Sequence, residues 1–212
     1  PFFEPLPENG MPEFKRILTS HYEAAFERGF EEQNLEIEAI TGNREPPTFL
    51  NTIEAMERSG CLIRRVGNVF WNLTSSDTSD QLQALELKIS PRVAAHNSEI
   101  YSNPLLFKRV QTITESDEAL DQEALQLLKV THQSFVRAGA HLSKSARERV
   151  NQITRSLAGL TTQFGQNVLQ DVNKFELLVG GTEDISGLPD SVLNAAKSEA
   201  DSRGNSGQYV FT

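Results

Sequence analysis

A mostly α-helical fold is what this sequence predicts: an antiparallel helical bundle followed by a short strand–helix–strand segment that begins a further structural unit. Three observations predict it. Between about residues 20 and 171, apolar side chains recur at spacings of three and four, the period of a helix with one buried face. Ser, Asn or Asp stands at the start of most of these runs, and Gly or Pro at or near several ends. Strand texture, alternating and rich in β-branched and aromatic residues, is confined to "KFELLVGG" and the closing "GQYVFT". The chain therefore reads as an extended arm over 1–18, a helical bundle over 19–173, and a strand–helix–strand start of a second unit over 174–212.

The arm is rich in Pro and aromatic residues and is expected to lie on the domain. Ser20 and Glu23 form a capping box for the first helix, in which Tyr22, Phe26, Phe30, Ile37 and Ile40 share a face until Gly42. After Pro46-Pro47, Asn51 and Glu54 are expected to cap a second helix carrying Ile53, Met56, Leu62, Val66, Val69, Phe70 and Leu73, interrupted at Gly60. Leu82, Leu85, Ile89, Val93, His96 and Ile100 form the next stripe, with Pro91 predicting a kink rather than an end. Asn103-Pro104 supplies the N-cap and first turn of a short helix with Leu106, Phe107, Val110 and Ile113.

From Asp121 to Ala138, Leu125, Leu128, His132 and Phe135 are expected to point inward. The run from Ser145 to Asp171 carries the strongest periodicity. A Ser145/Glu148 capping box precedes Val150, Ile153, Leu157, Leu160, Phe164 and Asn167, a coiled-coil-like seam predicted to be buried against the preceding helices. Phe175, Leu177 and Val179 then alternate as a strand. Pro189 at the first helical position and Gly204 past the end bracket a helix, and Tyr209–Phe211 closes the chain as a strand. Its one candidate partner within the chain is "KFELLVGG", through a crossover over the intervening helix, and even when so paired its other edge is expected to invite self-association.

Composition narrows the function classes. A net charge of −9 opposes nucleic-acid phosphates, so no nucleic-acid partner is expected. Cys61 is the only cysteine, which rules out an intrachain disulfide and suits a reducing compartment. No run approaches the roughly 20 apolar residues of a membrane span, and the start has no basic and apolar pattern of a signal peptide. The expectation is a cytoplasmic protein with no membrane partner.

Chemistry is sparse. His21, His96, His132 and His141 include no pair four residues apart, the arrangement that lets two imidazoles on one helix face reach one zinc ion. His96 and His132 sit on apolar stripes and read as core histidines. Cys61 has Arg64 and Arg65 nearby and no His in register, so a reactive thiol is not expected. Gly180-Gly181 and Gly204/Gly207 lack phosphate-loop spacing, and Glu31-Glu32 reads as solvating charge. No catalytic residue and no metal ligand can be assigned, and the substrate-binding residues are unknown.

One stretch is more specific. "PTFLNTIEAMERSG", Pro47–Gly60, resembles the PTFxNTIxALExSG signature of the thimet-oligopeptidase family, zinc peptidases that cleave short peptides. "VFWNLTSSDTSDQLQ", "RVAAHNSEIYSNPLLFKRV", "HQSFVRAGAHLS" and "LAGLTTQFGQNVL" follow in the family's order. "SHYEAAFERGFEEQNLEIEAI" is most like the bacterial peptidyl-dipeptidase branch. The resemblance covers essentially the whole chain but only the N-terminal part of such an enzyme. The family's His-Glu-x-x-His zinc helix, in a later catalytic domain, has no counterpart here. The resemblance therefore implies a non-catalytic helical domain that walls a substrate channel and limits access to short peptides. It implies no cofactor in this fragment, and a parent that uses zinc to release C-terminal dipeptides. Short peptides would be met through the missing catalytic domain. The alternative is a stand-alone helical interaction module without peptidase activity.

Overall fold

The computed structural model describes residues 1–4, 10–181 and 184–212. Its contacts divide the chain into two units, Pro1–Thr162 and Gln163–Thr212. Helices dominate, and the single sheet among the described residues has two short strands, as the sequence predicts.

In the first unit, α1 (Ser20–Gly42) is the central element, and its one apolar face serves two cores. Tyr22, Phe26 and Phe30, from its first half, meet Val66, Val69 and Phe70 of α3 (Cys61–Ser76) and Leu82, Leu85 and Ile89 of α4 (Asp80–Tyr101). Ile37 and Ile40, from its second half, join Ile53, Ile100, Leu128 and Phe135, with Leu106, Val110 and Ile113 of α5 (Pro104–Thr114). Each such side chain, fully buried, contributes about 1.5–3 kcal/mol, so the three-and-four spacing is the energetic reason these segments are helical. Pro91 lies inside α4 without ending it. Asn103 and Asp121 cap α5 and α6 (Gln122–Arg137) as expected. Phe2 brings the start of the arm into the first core, its ring 5.3 Å from that of Tyr22. Part of the arm, residues 5–9, lies outside the described residues.

Several local expectations are corrected. Thr19 is already helical, with Leu18 and Thr19 carbonyls accepting from His21 and Tyr22, so the N-cap position falls before Ser20 and no Ser20/Glu23 box forms. Thr48, not Asn51, caps the second helical segment. That segment is a π-helical turn, Phe49–Glu54, followed by α2 (Ala55–Arg58), and Gly60 separates α2 from α3 as the sequence suggests. Ser143 rather than Ser145 occupies the start of α7 (Lys144–Lys174), its hydroxyl accepting from the Ala146 amide. Leu125 faces solvent.

The largest correction concerns the seam of α7. Leu157, Leu160 and Phe164 are 56%, 67% and 70% exposed, so the apolar stripe is not buried. Within the first unit α7 uses its other face. Asn151, Thr154, Ala158, Gly159 and Thr162 are half-buried, as are Ala146, Arg147 and Val150 nearer its start, Val150 being the one residue of the expected seam that is partly covered. Asn151 accepts a hydrogen bond from Ser98 of α4 and donates one to Ser102 at its C-cap, and Gly159 lies over the Pro91 ring. Small and polar residues let the two backbones approach, and the larger apolar residues are turned away.

The second unit holds the end of α7, β1 (Leu177–Val179), α8 (Asp190–Ser202) and β2 (Tyr209–Phe211). β1 and β2 pair antiparallel, Leu178 opposite Val210, so the link between them is not the parallel crossover the sequence suggested. Phe175 belongs to neither strand, because its amide still bonds back to Asp171 and Val172 at the end of α7. Pro189 occupies the N-cap position, one residue earlier than expected. Its buried apolar residues among those described are Ile185, Ala196, Ala200 and Val210.

Candidate functional site

The stretch Pro47–Gly60 folds around a buried cation. Arg109, in α5, donates from Nε to Thr52 Oγ1 at 3.1 Å, from Nη2 to Asn51 Oδ1 at 2.9 Å, and from Nη1 to the Asn43 carbonyl at 3.0 Å. These acceptors are all neutral, and burial lowers the Arg109 pKa. Asn51 is the hub. Its Oδ1 also accepts from the Thr48 amide and the Thr52 hydroxyl, and its Nδ2 donates to the Pro46 carbonyl. The Thr48 hydroxyl accepts from the Asn51 amide in return. A π-helical turn leaves backbone groups off the usual ladder, and this cluster ties its start down. The Asn-Thr pair at the heart of the signature is thus a clamp between α1, α5 and the π turn.

A second polar cluster sits where α1 meets α3 and α4. His96 Nε2 lies 2.8 Å from Gln33 Oε1, so this nitrogen carries the proton in the neutral ring. Gln33 Nε2 donates to Ser59 Oγ, which donates to the Met56 carbonyl at 2.7 Å. The Gly60 amide donates to Glu36 at 2.7 Å, and Arg64 Nη1 to the Ser59 carbonyl at 2.6 Å. Burial lowers the His96 pKa, and the Phe30 ring packs on the imidazole at 4.8 Å.

Clefts open on both sides of this cluster. One, of about 320 Å³, is lined by Gln33, Glu57, Arg64, Asn68, Trp71 and Tyr101 among others. Burial, and then the Glu57 charge, raises the Tyr101 pKa. The other, of about 480 Å³, presents Glu27, Asn34, Arg92, His96, Glu99 and Arg155, with Arg92 paired to Glu27. These clefts can accept a side chain or a small polar group. They contain amides, a phenol and paired charges, but no nucleophile beside a base.

The histidines are dispersed. His96 is buried in α4. His132 lies against the Phe107 ring at 5.6 Å, His21 Nδ1 accepts from the Leu18 amide, and His141 is exposed. No group of three His, Cys, Asp or Glu among the described residues could hold a metal ion, so these residues do not fit a zinc centre. Cys61 is exposed, with Arg64 Nη2 at 3.4 Å. Sequence reasoning missed Arg109 and Gln33. A signal existed for Arg109, since it lies three residues after Leu106 and next to Val110, on the apolar face of α5. Gln33 gave none.

The fold and its clefts define a helical scaffold in which the buried Arg109 and His96 are hydrogen-bonded to residues of other elements. No protein-family model matches the chain. Curated relatives do. The chain is 36% identical over 195 residues to a dipeptidyl carboxypeptidase of Salmonella typhimurium, covering 91% of this chain and 29% of that protein. It is 34% identical over 202 residues to the dipeptidyl carboxypeptidase of Escherichia coli, covering 94% and 30%. Oligopeptidase A of Haemophilus influenzae matches at 26% over 206 residues, covering 96% and 30%. The chain is therefore similar to an N-terminal part of thimet-oligopeptidase-family proteins, and more to these dipeptidyl carboxypeptidases than to that oligopeptidase A. It spans less than a third of the length of the curated relatives it matches.

Proposed function

We propose that the chain is the N-terminal helical domain of a cytoplasmic zinc peptidase that releases dipeptides from the C-terminus of short peptides. The observation that carries this reading is the 34–36% identity, over more than nine-tenths of the chain, to two proteins named dipeptidyl carboxypeptidase. The zinc ligands and the catalytic base would be supplied by chain beyond these residues. The part played here is that of a wall. A rigid helical unit beside the catalytic region narrows its entrance, so that extended peptides pass and folded proteins do not.

The buried clusters support a scaffold role, because Arg109, Gln33 and His96 are each hydrogen-bonded across elements and so hold helices together. Expressing the whole reading frame and incubating it with N-blocked short peptides tests the reading. Dipeptides should appear, production should stop on chelation and return with zinc, and this chain alone should produce none. A full-length protein that removes single residues, or leaves these peptides intact, overturns it.

A further inference from the structure

Phe164, Val168, Val172 and Phe175 follow one another at intervals of four, four and three near the end of α7, all within the second unit, and are 46–70% exposed. Phe164, Val168 and Val172 share one face of α7 and Phe175 stands directly after its end, an exposed run of apolar side chains that folded chains rarely leave in water. Beside it, Gly165 lies three residues before Val168 and seven before Val172, on the same side of the helix. A Cβ built there meets nothing within 4 Å. Glycine in a helix interior costs about 1 kcal/mol relative to Ala, and nothing in this unit occupies the space it leaves. A bare stretch of helix backbone flanked by exposed rings and branched side chains is shaped for close approach by another element.

From these features we infer that this face of α7 is the seat on which the rest of the parent chain, beyond residue 212, packs. The inference rests on the reading of the chain as part of a longer peptidase. The matched stretch makes up only 29–30% of the relatives' length, so in such a parent most of the polypeptide remains to cover the surface. A second copy of this chain is the disfavoured occupant, because two bodies each carrying a net charge of −9 repel one another.

Thiol labelling separates the possibilities. Phe164→Cys and Val172→Cys are each placed in a Cys61→Ser background, in this chain and in the full-length protein. Labelling is followed by peptide-resolved mass spectrometry, with each rate referred to that of the same cysteine in urea. In this chain both positions should label at near the urea rate at every concentration. In the full-length protein they should label at least about tenfold more slowly, as sites that react only when an interface opens. Equal rates in the two proteins overturn the inference even if the full-length protein releases dipeptides. Protection in this chain alone that grows with concentration overturns it in favour of a second copy. A reading frame that stops at Thr212 also overturns it. Protection in a full-length protein that cleaves no peptide sustains the seat and removes the proposed activity.

Discussion

Arg109, from α5, ties together the end of α1 and the π-helical turn, because its fork donates to both at once. Arg109→Met would take a donor from the buried Thr52 hydroxyl and the part-buried Asn43 carbonyl, while Asn51 Oδ1 would keep the Thr48 amide and the Thr52 hydroxyl. The expected loss is on the order of 3 kcal/mol, read from urea midpoints. Arg109→Lys should recover little of it, since an ammonium has no planar fork. A midpoint unchanged in either variant would show that water replaces the guanidinium at no cost. Gly60 is constrained twice, by a φ of +68° and by a Cβ position 2.5 Å from Gln33 Nε2. Gly60→Ala should therefore destabilise by about 1–3 kcal/mol. His96 brings a pH dependence. Its folded pKa lies below the ordinary value, so the unfolded chain binds the extra proton first and stability falls as pH drops below about 6.5. Above that pH its contribution is fully present. Glu27, Glu99, Arg92 and Arg155 share its cleft, so the comparison must be internal. His96→Gln should flatten the slope of stability against pH below about 6.5, where the unfolded ring takes up its proton. An equal slope in both proteins would show that His96 does not carry the dependence.

At the scale of elements, helices whose stripe has a partner within the unit were legible. α1, α4 and α5 bury the residues their periodicity selects, apart from the half-buried Val93 and Phe107, because an apolar stripe and an available core are sufficient to choose a face. α7 was misread for a physical reason. It carries two stripes at the same spacing, one large and apolar, the other small and polar, and periodicity alone cannot say which is covered. Against α4 the small stripe won, because Gly159 over Pro91 and Asn151 between two serines allow a closer approach than Leu160 would. The Thr48–Asn51 clamp shows the same limit. Its residues were quoted as a signature, yet Arg109, which gives the signature its structural sense, lies more than fifty residues away in sequence. Leu160→Asp should consequently leave stability within about 0.5 kcal/mol of the parent, as for other solvent-facing positions. Phe135→Ala, in the second core, should cost about 3–5 kcal/mol. Thermal and urea denaturation of the pair checks both, and a large loss in Leu160→Asp would mean that the seam is covered in solution.

For the whole molecule, the decisive quantity is how unevenly burial is divided. The first unit has two apolar clusters built from aromatic and branched side chains. The second has Ile185 and Val210 beside two alanines, on a two-stranded sheet. A two-stranded sheet is marginal in water unless it packs on something, and alanine burial adds little. The second unit should therefore open well before the first. Amide exchange followed along a urea series is expected to show β1, α8 and β2 exchanging through openings of low free energy, while α1, α3 and α5 exchange only with global unfolding. The ordering has a structural corollary in a longer parent. If further chain packs on the apolar face of α7, the opening free energy of the second unit rises towards that of the first, and the two exchange regimes merge. Uniform exchange across both units in this chain alone would show that the small core is stronger than its composition allows.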